Sequence, residues 1–195
     1  MSGDLGSEQA LVHDEAQEVL DFWFAIPMEK QFGRDAALDA EIAARFGALR
    51  DELCRTNAAA WRDDPDSLLA AIVVLDQFSR NIYRDSAEAF AADPLAVELS
   101  QLAIEREWES RYASEERAFL YMPLMHAEDI ALQRLSLTKF AELGGDNLPF
   151  AIGHLEVIAR FGRFPSRNDA LGRETTLDER AYLDSPDDEN GPPKA

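Results

Sequence analysis

Apolar residues recur every three or four positions along most of this chain, a spacing that places them on one face of an α-helix. One stripe lies within residues 12–24 and holds Val12, Ala16, Val19, Leu20 and Trp23. Another lies within residues 35–56 and holds Leu38, Ile42, Phe46, Leu49 and Leu53. No segment shows the sustained alternation of apolar and polar residues that is typical of a half-buried strand. The pattern predicts an all-α protein.

Helix-capping residues predict where another helix begins. The Asp64-Pro65 pair is typical of a helix N-terminus, because aspartate accepts hydrogen bonds from free N–H groups and proline fits the first turn. This helix is predicted to run to about Tyr83. It is apolar on nearly every side over residues 68–75, so we expect it to be buried at the centre of the protein.

The remaining helices are predicted over residues 93–107, 114–143, 150–161 and 176–183. The first of them has Asp93 in the N-cap position. Within the second, Pro123 lacks a backbone N–H, so we expect a kink or a break near Tyr121. The last begins with a capping box formed by Thr176 and Glu179.

These segments amount to about eight to ten helices with short connections, which favours an arrangement in antiparallel helical hairpins. We predict one all-α domain over residues 1–184. The segment 185–195 is acidic and proline-rich, and it is expected to be mobile.

Composition excludes several classes of partner. The 195 residues include 38 acids against 19 lysines and arginines, a formal net charge of -19. Such a surface repels nucleic acid and anionic membranes, and the apolar run over residues 68–75 is too short to span a bilayer. The N-terminal residues lack a secretory signal, and the single cysteine, Cys54, excludes an internal disulfide and a cysteine-based zinc site. We expect a cytoplasmic protein with no metal, cofactor, nucleic-acid partner or membrane partner.

Three polar stretches interrupt the apolar pattern, and the first covers residues 75–84. Asp76 directly follows the buried run, Arg80 lies one helical turn later, and Asn81 is next to it. Residues four apart share a helix face, so Asp76 and Arg80 can form an ion pair that tethers the end of the helix. The alternative is that these polar groups bind a ligand.

The second stretch covers residues 121–133. In one continuous helix it would place His126, Asp129 and Gln133 on one face, with Glu128 one position round. A histidine beside a carboxylate is typical of a general base and the group that orients it. A metal site is not favoured, because His126 and Glu128 would point to different helix faces. The structural alternative is a buried histidine whose hydrogen bonds are satisfied inside the core.

The third stretch covers residues 154–173 and gathers positive charge. From residue 160 on, one acid, Asp169, stands against four arginines, namely Arg160, Arg163, Arg167 and Arg173. Guanidinium groups bind carboxylate or phosphate through parallel hydrogen bonds. Ser166 is predicted to cap a short helix, whose free N–H groups would also attract an anion. His154 shares its helix face with Val157 and Ile158, so we expect it to point inward.

These arginines have two interpretations that the residues alone do not separate. They could bind an anionic ligand, or they could bridge helices by pairing with acids such as Asp76, Glu128, Asp129 and Asp169. Clusters of titratable groups occur at functional sites and in structural ion-pair networks alike.

Long motifs in this chain resemble a known bacterial family. The matching stretches are VLDFWF, VLDQFSRNIYR, AFAADPLA, FLYMPLMHAEDIALQ and the segment 154–183, and the similarity extends from about residue 18 to residue 183. On these motifs the chain resembles the family catalogued as domain of unknown function 924. The resemblance implies a tetratricopeptide-repeat-like α-α superhelix, and it implies no activity.

Three residues depart from the pattern of that family. Ser79 stands where the family usually has proline, Met125 where it usually has glutamate, and Ser166 where it usually has histidine. The last departure weighs against catalysis at position 166, where serine suits a helix cap or a hydroxyl that binds an anion.

Two functional hypotheses follow. In the first, helix packing brings the three stretches together into a pocket for a small anionic molecule, with or without catalysis. The candidate catalytic residues are His126 and His154. The candidate ligand-binding residues are Asp76, Arg80, Asn81, Glu128, Arg160, Arg163, Arg167 and Asn168. In the second hypothesis, a helical-repeat scaffold with an acidic surface binds a protein or peptide partner without chemistry.

Overall fold

The computed structural model describes residues 4–185, with side chains from residue 9 onward. Every regular element in this part of the chain is helical, and none is a strand. The all-α prediction is therefore confirmed. The predicted mobile tail lies outside the described residues from position 186 on.

The α-helical segments are α1 (Asp4–Phe24), α2 (Met28–Gln31), α3 (Ala36–Thr56), α4 (Pro65–Ile72), α5 (Ser79–Ile82), α6 (Asp93–Glu105), α7 (Ser114–His126), α8 (Ile130–Leu143), α9 (Leu148–Phe161) and α10 (Leu177–Asp184). A π-helical segment (Val73–Phe78) joins α4 to α5 without a gap. Residues 65–82 thus form one helix, and the described residues hold nine continuous helices. This number lies within the predicted eight to ten.

Contacts within the chain group into two compact units. Among the described residues, the first unit comprises the chain up to Arg84 together with Glu88–Ser110, and the second comprises Asp85–Ala87 and the chain from Arg111 on. The predicted extent of one domain over residues 1–184 stays a prediction, and each unit is described by itself.

The first unit is built around the helix that was predicted to be central. Residues 68–75 have no exposed surface, and this helix packs against α1, α3 and α6. Phe78 closes the packing, because its ring lies 5.4 Å from that of Trp23 and 5.0 Å from that of Phe46. The apolar stripes of α1 and α3 supply both partners, so the buried faces match the predicted periodicity.

The π segment is a feature that the sequence pattern did not predict. A π turn accommodates an extra residue, and such segments occur frequently at functional sites. Val73–Phe78 is buried throughout, including Asp76 with no exposed surface and Gln77 with 7% exposed. Residues 68–75, which lead into this segment, are apolar on nearly every side. Their periodicity therefore does not define a single buried face whose shift would reveal the extra residue.

The second unit contains α7, α8 and α9, which pack against one another in chain order. Short connections over residues 127–129 and 144–147 reverse the chain between them, so neighbouring helices run antiparallel. The break predicted near Tyr121 is absent, because α7 continues through Pro123 to His126. Residues 118–125 are all buried, and this packing outweighs the one hydrogen bond that proline removes.

Helix ends agree with the capping signals at some positions and not at others. Asp64 caps α4 by accepting from the Ser67 N–H at 2.9 Å, and the predicted capping box of α10 is present. At α6 the N-cap is Ala92, one residue earlier than predicted. The short helix expected from Ser166 is a single 3-10 turn, Pro165–Arg167, without a side-chain cap, so its predicted anion-binding N-terminus does not exist.

Two glycines allow the effect of alanine at a helix end to be compared with its effect inside a helix. Gly162 ends α9 in the left-handed conformation with φ of 71°, whereas Gly47 lies inside α3, and an added Cβ meets nothing within 4 Å at either position. We expect Gly162→Ala to lower the free energy of unfolding by about 1 kcal/mol, because alanine disfavours this conformation. Urea denaturation measures the change.

Gly47→Ala is the matched control, and we expect it to raise the free energy of unfolding by about 0.5–1 kcal/mol through helix propensity. Equal effects of the two substitutions would contradict the left-handed end of α9.

Candidate functional site

The predicted site residues fall into both units. Asp76, Arg80 and Asn81 belong to the first unit. The second unit holds His126, Glu128, His154, Arg160, Arg163, Arg167 and Asn168.

In the first unit, Arg80 lies between two carboxylates. Its Nη1 lies 3.0 Å from Asp76 Oδ1, and its Nη2 donates to Asp93 Oδ2 at 3.0 Å. Burial acts to lower the pKa of Arg80, but attraction to Asp76 and Asp93 outweighs it and the pKa is raised. The ion pair that the spacing predicts is present, and Asp93 joins it. Asn81 donates to Asp39 Oδ1 at 2.8 Å.

A buried arginine in the first unit was missed by the sequence analysis. Arg50 is 5% exposed, and its Nε donates to Ser79 Oγ at 3.2 Å. Its Nη2 donates to the Glu88 carbonyl at 3.0 Å, and its guanidinium carbon lies 4.7 Å from the centre of the Tyr83 ring. The sequence contained a signal for its burial, because position 50 continues the apolar stripe of Ile42, Phe46 and Leu53. A charged residue at a core position indicates a buried polar network.

In the second unit, Glu128 joins the turn after α7 to the loop between α9 and α10, which carries Arg163, Arg167 and Arg173. Its carboxylate accepts from Arg173 Nη1 at 2.9 Å and Nη2 at 2.7 Å, and from the Phe164 N–H at 2.8 Å. Burial acts to raise the pKa of Glu128, but the hydrogen bonds from Arg173 and Phe164 outweigh it, and the pKa is lowered. Glu128 therefore stays ionised at neutral pH.

Glu179 holds α10 to the same loop. It is 3% exposed and accepts from Arg163 Nε at 2.6 Å, Arg163 Nη2 at 2.9 Å and the Thr176 N–H at 2.8 Å. The hydrogen bonds from Arg163 and Thr176 lower the pKa of Glu179 to about 2. Asn168, 1% exposed, donates to Glu179 Oε2 and to Thr175 Oγ1, each at 3.3 Å.

The acids that pair with these arginines match the named candidates only in part. Glu128 binds Arg173 as expected of a helix bridge. Arg163 pairs instead with Glu179, which the sequence analysis had assigned only to a capping box. Asp129 accepts from Ala131 N–H at 2.8 Å and thereby caps α8.

His126, His154, Phe164 and Arg167 lie close together in the second unit. The rings of His126 and His154 are 6.2 Å apart between centres, and that of His154 lies 5.3 Å from Phe164. The guanidinium carbon of Arg167 lies 4.5 Å from the centre of the Phe164 ring, and its Nη2 donates to the His126 carbonyl at 2.9 Å. We call these four residues the histidine–arginine cluster.

The polar members of the cluster are half-buried and face solvent in part, unlike Asn168 and Glu179. His154 Nδ1 lies 2.8 Å from the Phe150 carbonyl. Since a carbonyl only accepts, Nδ1 carries the proton, and Nε2 is the acceptor in the neutral ring. The cluster thus combines a cation with an imidazole of defined tautomer.

Three residues predicted to lie near these histidines are outside the cluster. Because α7 ends at His126, the expected shared face with Asp129 and Gln133 does not form, and both residues belong to the start of α8. Arg160 is exposed, with its guanidinium carbon 4.6 Å from the centre of the Phe161 ring.

A cavity of about 280 Å³ in the first unit contains none of the predicted site residues. Its walls include Cys54, Asn57, Leu95 and Glu98. Burial raises the pKa of the Cys54 thiol, so the neutral, unreactive form prevails at neutral pH.

Two features are absent from residues 4–185. These residues contain no group of three or more histidine, cysteine or carboxylate side chains that could hold a metal ion. No helix among them has the length and apolar character needed to cross a membrane.

The described residues form an all-α fold that carries the histidine–arginine cluster. The geometry of this cluster does not by itself identify a reaction. The chain belongs to a family described as bacterial protein of unknown function, DUF924, whose model matches residues 19–187. This confirms the resemblance seen in the motifs. The tetratricopeptide-like superhelix stays a prediction.

A solved structure agrees with this assignment. The chain is similar to the Protein of Unknown Function ATU0120 from Agrobacterium tumefaciens, with 39% identity and a TM-score of 0.85. The match covers 88% of this chain and 98% of the other. No curated protein matches the chain.

The pairing of Glu179 predicts a pH dependence of stability. Its pKa falls from 4.5 to about 2 in the folded protein, so the pairing stabilises the fold fully above about pH 4.5 and is lost as the pH falls toward 2. We expect Glu179→Gln to have a lower Tm than the wild type at pH 7. The difference is expected to shrink below pH 4.5, as measured by thermal denaturation over a pH series.

Glu174→Gln provides the control, because it removes the same charge from an exposed side chain nearby and is expected to change Tm little. A Glu179→Gln difference that stays constant down to pH 2 would contradict the proposed role of the Arg163 pair.

Proposed function

We propose that this protein binds a small organic anion at the histidine–arginine cluster of its second unit. The observation that carries the proposal is the proximity of His126, His154 and Arg167, with His126 beside His154 and both His154 and Arg167 against Phe164, in a chain whose formal net charge is -19. A guanidinium beside two partly exposed imidazoles favours a carboxylate or phosphate group.

The contacts of the three arginines support this proposal. Glu128 is bound bidentately by Arg173, and Glu179 is bound by Arg163, so these two arginines hold the loop. Arg167 donates through Nη2 to the His126 carbonyl, and its guanidinium lies over the Phe164 ring. Both contacts place Arg167 beside the two histidines.

The proposal assigns different roles to the candidate residues. Arg167 supplies the charge that attracts the anion, and the two imidazoles exchange a proton with it. Arg163 and Asn168 hold the loop through Glu179. The first-unit candidates Asp76, Arg80 and Asn81 have partners in their own unit and are not needed in this site.

The alternative function is a helical scaffold for a basic protein or peptide partner. The ion pairs of Arg80, Arg163 and Arg173 support it, because they give these arginines a structural role. The acidic surface would favour such a partner. This alternative requires no ligand at the cluster.

Thermal denaturation in the presence of inorganic phosphate, acetate, citrate and nucleoside monophosphates tests the proposal. A ligand at 100 times its Kd adds about 2.7 kcal/mol of stability, which corresponds to several degrees in Tm for a chain of this size. We expect at least one of these anions to raise Tm, and Arg167→Gln to abolish the rise by removing the charge.

Arg160→Gln is the matched control, because it removes an exposed arginine from the last turn of α9, next to the loop that carries Arg167, and is expected to leave the rise in place. If Arg160→Gln and Arg167→Gln reduce the response equally, the effect is one of net charge and the site is not the cluster. An absence of any response would favour the scaffold function.

A further inference from the structure

Two side chains from outside α7 bind three consecutive main-chain carbonyls at its end. Gln133 Nε2 donates to the Met125 carbonyl at 2.6 Å and to the Ala127 carbonyl at 2.7 Å. Arg167 Nη2 donates to the carbonyl of His126, which lies between them. The last carbonyls of a helix have no partner within that helix, so these bonds fix the chain at the point where His126 is attached.

The orientation of the Gln133 amide is determined by its partners. Both are carbonyl oxygens, which only accept, so the amide nitrogen has to face them. The amide oxygen Oε1 then points away, and it is buried without a hydrogen-bond partner.

Core packing alone does not account for a glutamine at this position. The core-facing stripe of α8 consists of Gln133, Ser136 and Phe140, each with no exposed surface. An amide oxygen buried without a partner costs free energy, and a methionine would fill a similar volume without that cost. Glutamine supplies what methionine lacks, namely two N–H groups directed at the carbonyls on either side of His126.

We infer that Gln133 is a positioning residue for His126. The inference rests on the proposed function, because the position of His126 matters when an anion binds at the cluster. Gln133 acts through the main chain of Met125 and Ala127, and Arg167 joins the same segment to the loop that carries Phe164. The imidazole of His126 is thereby held at a fixed place relative to Arg167.

Gln133→Met removes both N–H groups at nearly constant volume, and inorganic phosphate is the probe. We expect the Kd for phosphate to rise roughly three- to tenfold, the range that corresponds to the loss of about one hydrogen bond. The chain has three histidines, so its imidazole NMR spectrum has three sets of signals that single substitutions assign. The signals of His126 are expected to move in Gln133→Met, and those of His13 are expected to stay.

Phe140→Leu is the matched control, because it weakens packing on the same buried stripe of α8 and leaves the carbonyls bound. We expect it to lower Tm while the Kd for phosphate and the His126 signals stay as in the wild type. If Phe140→Leu and Gln133→Met weaken phosphate binding equally, Gln133 acts through stability alone and the inference is overturned.

The wild-type protein provides a second measurement that does not depend on the folding of a variant. The side-chain NH₂ signals of Gln133 are expected to exchange slowly with solvent and to shift when phosphate is added. Signals that stay unchanged while phosphate moves those of His126 would overturn the positioning role and leave the proposed function intact. A wild type in which phosphate moves neither His126 nor His154 would overturn the proposed function itself for this anion.

Discussion

The candidate site depends on the hydrogen bonds that the carboxylate of Glu128 accepts. It accepts hydrogen bonds from both outer nitrogens of Arg173 and from the main-chain N–H of Phe164, so the turn after α7 and the loop after α9 meet at one half-buried charge. That contact places Phe164 beside His154 and brings Arg167 to the carbonyl of His126. Removing the carboxylate would take this acceptor from Arg173 and from the Phe164 N–H, which costs more than the loss of a fully exposed ion pair.

The arginines of the loop divide into two kinds. Arg163 and Arg173 are paired with carboxylates and hold the loop to α10 and to the end of α7. Arg167 contacts the His126 carbonyl and the Phe164 ring, and these contacts fix its place beside the histidines. The structural interpretation therefore applies to Arg163 and Arg173, whose ion pairs hold the loop in place.

Local signals account for what could be predicted. The stripe of α1 and the capping residues Asp64 and Thr176 act within a few positions along the chain, and a pattern of that range can be read directly. The end of α7 at His126 could not be predicted in this way. Pro123 favoured an earlier break, and only the burial of residues 118–125 explains why the helix continues. Arg50 was missed although its place on a core stripe was visible.

The sequence by itself determined the helical class, most helix starts, the acidic surface and the family. These follow from composition, from motifs and from a periodicity that one helix expresses alone. Tertiary structure decided which acid meets which arginine, since Glu128 and Arg173 are 45 positions apart and Arg163 and Glu179 are 16 apart. Helical periodicity specifies which side of a helix is buried, but the partner on the other side depends on how separate segments pack.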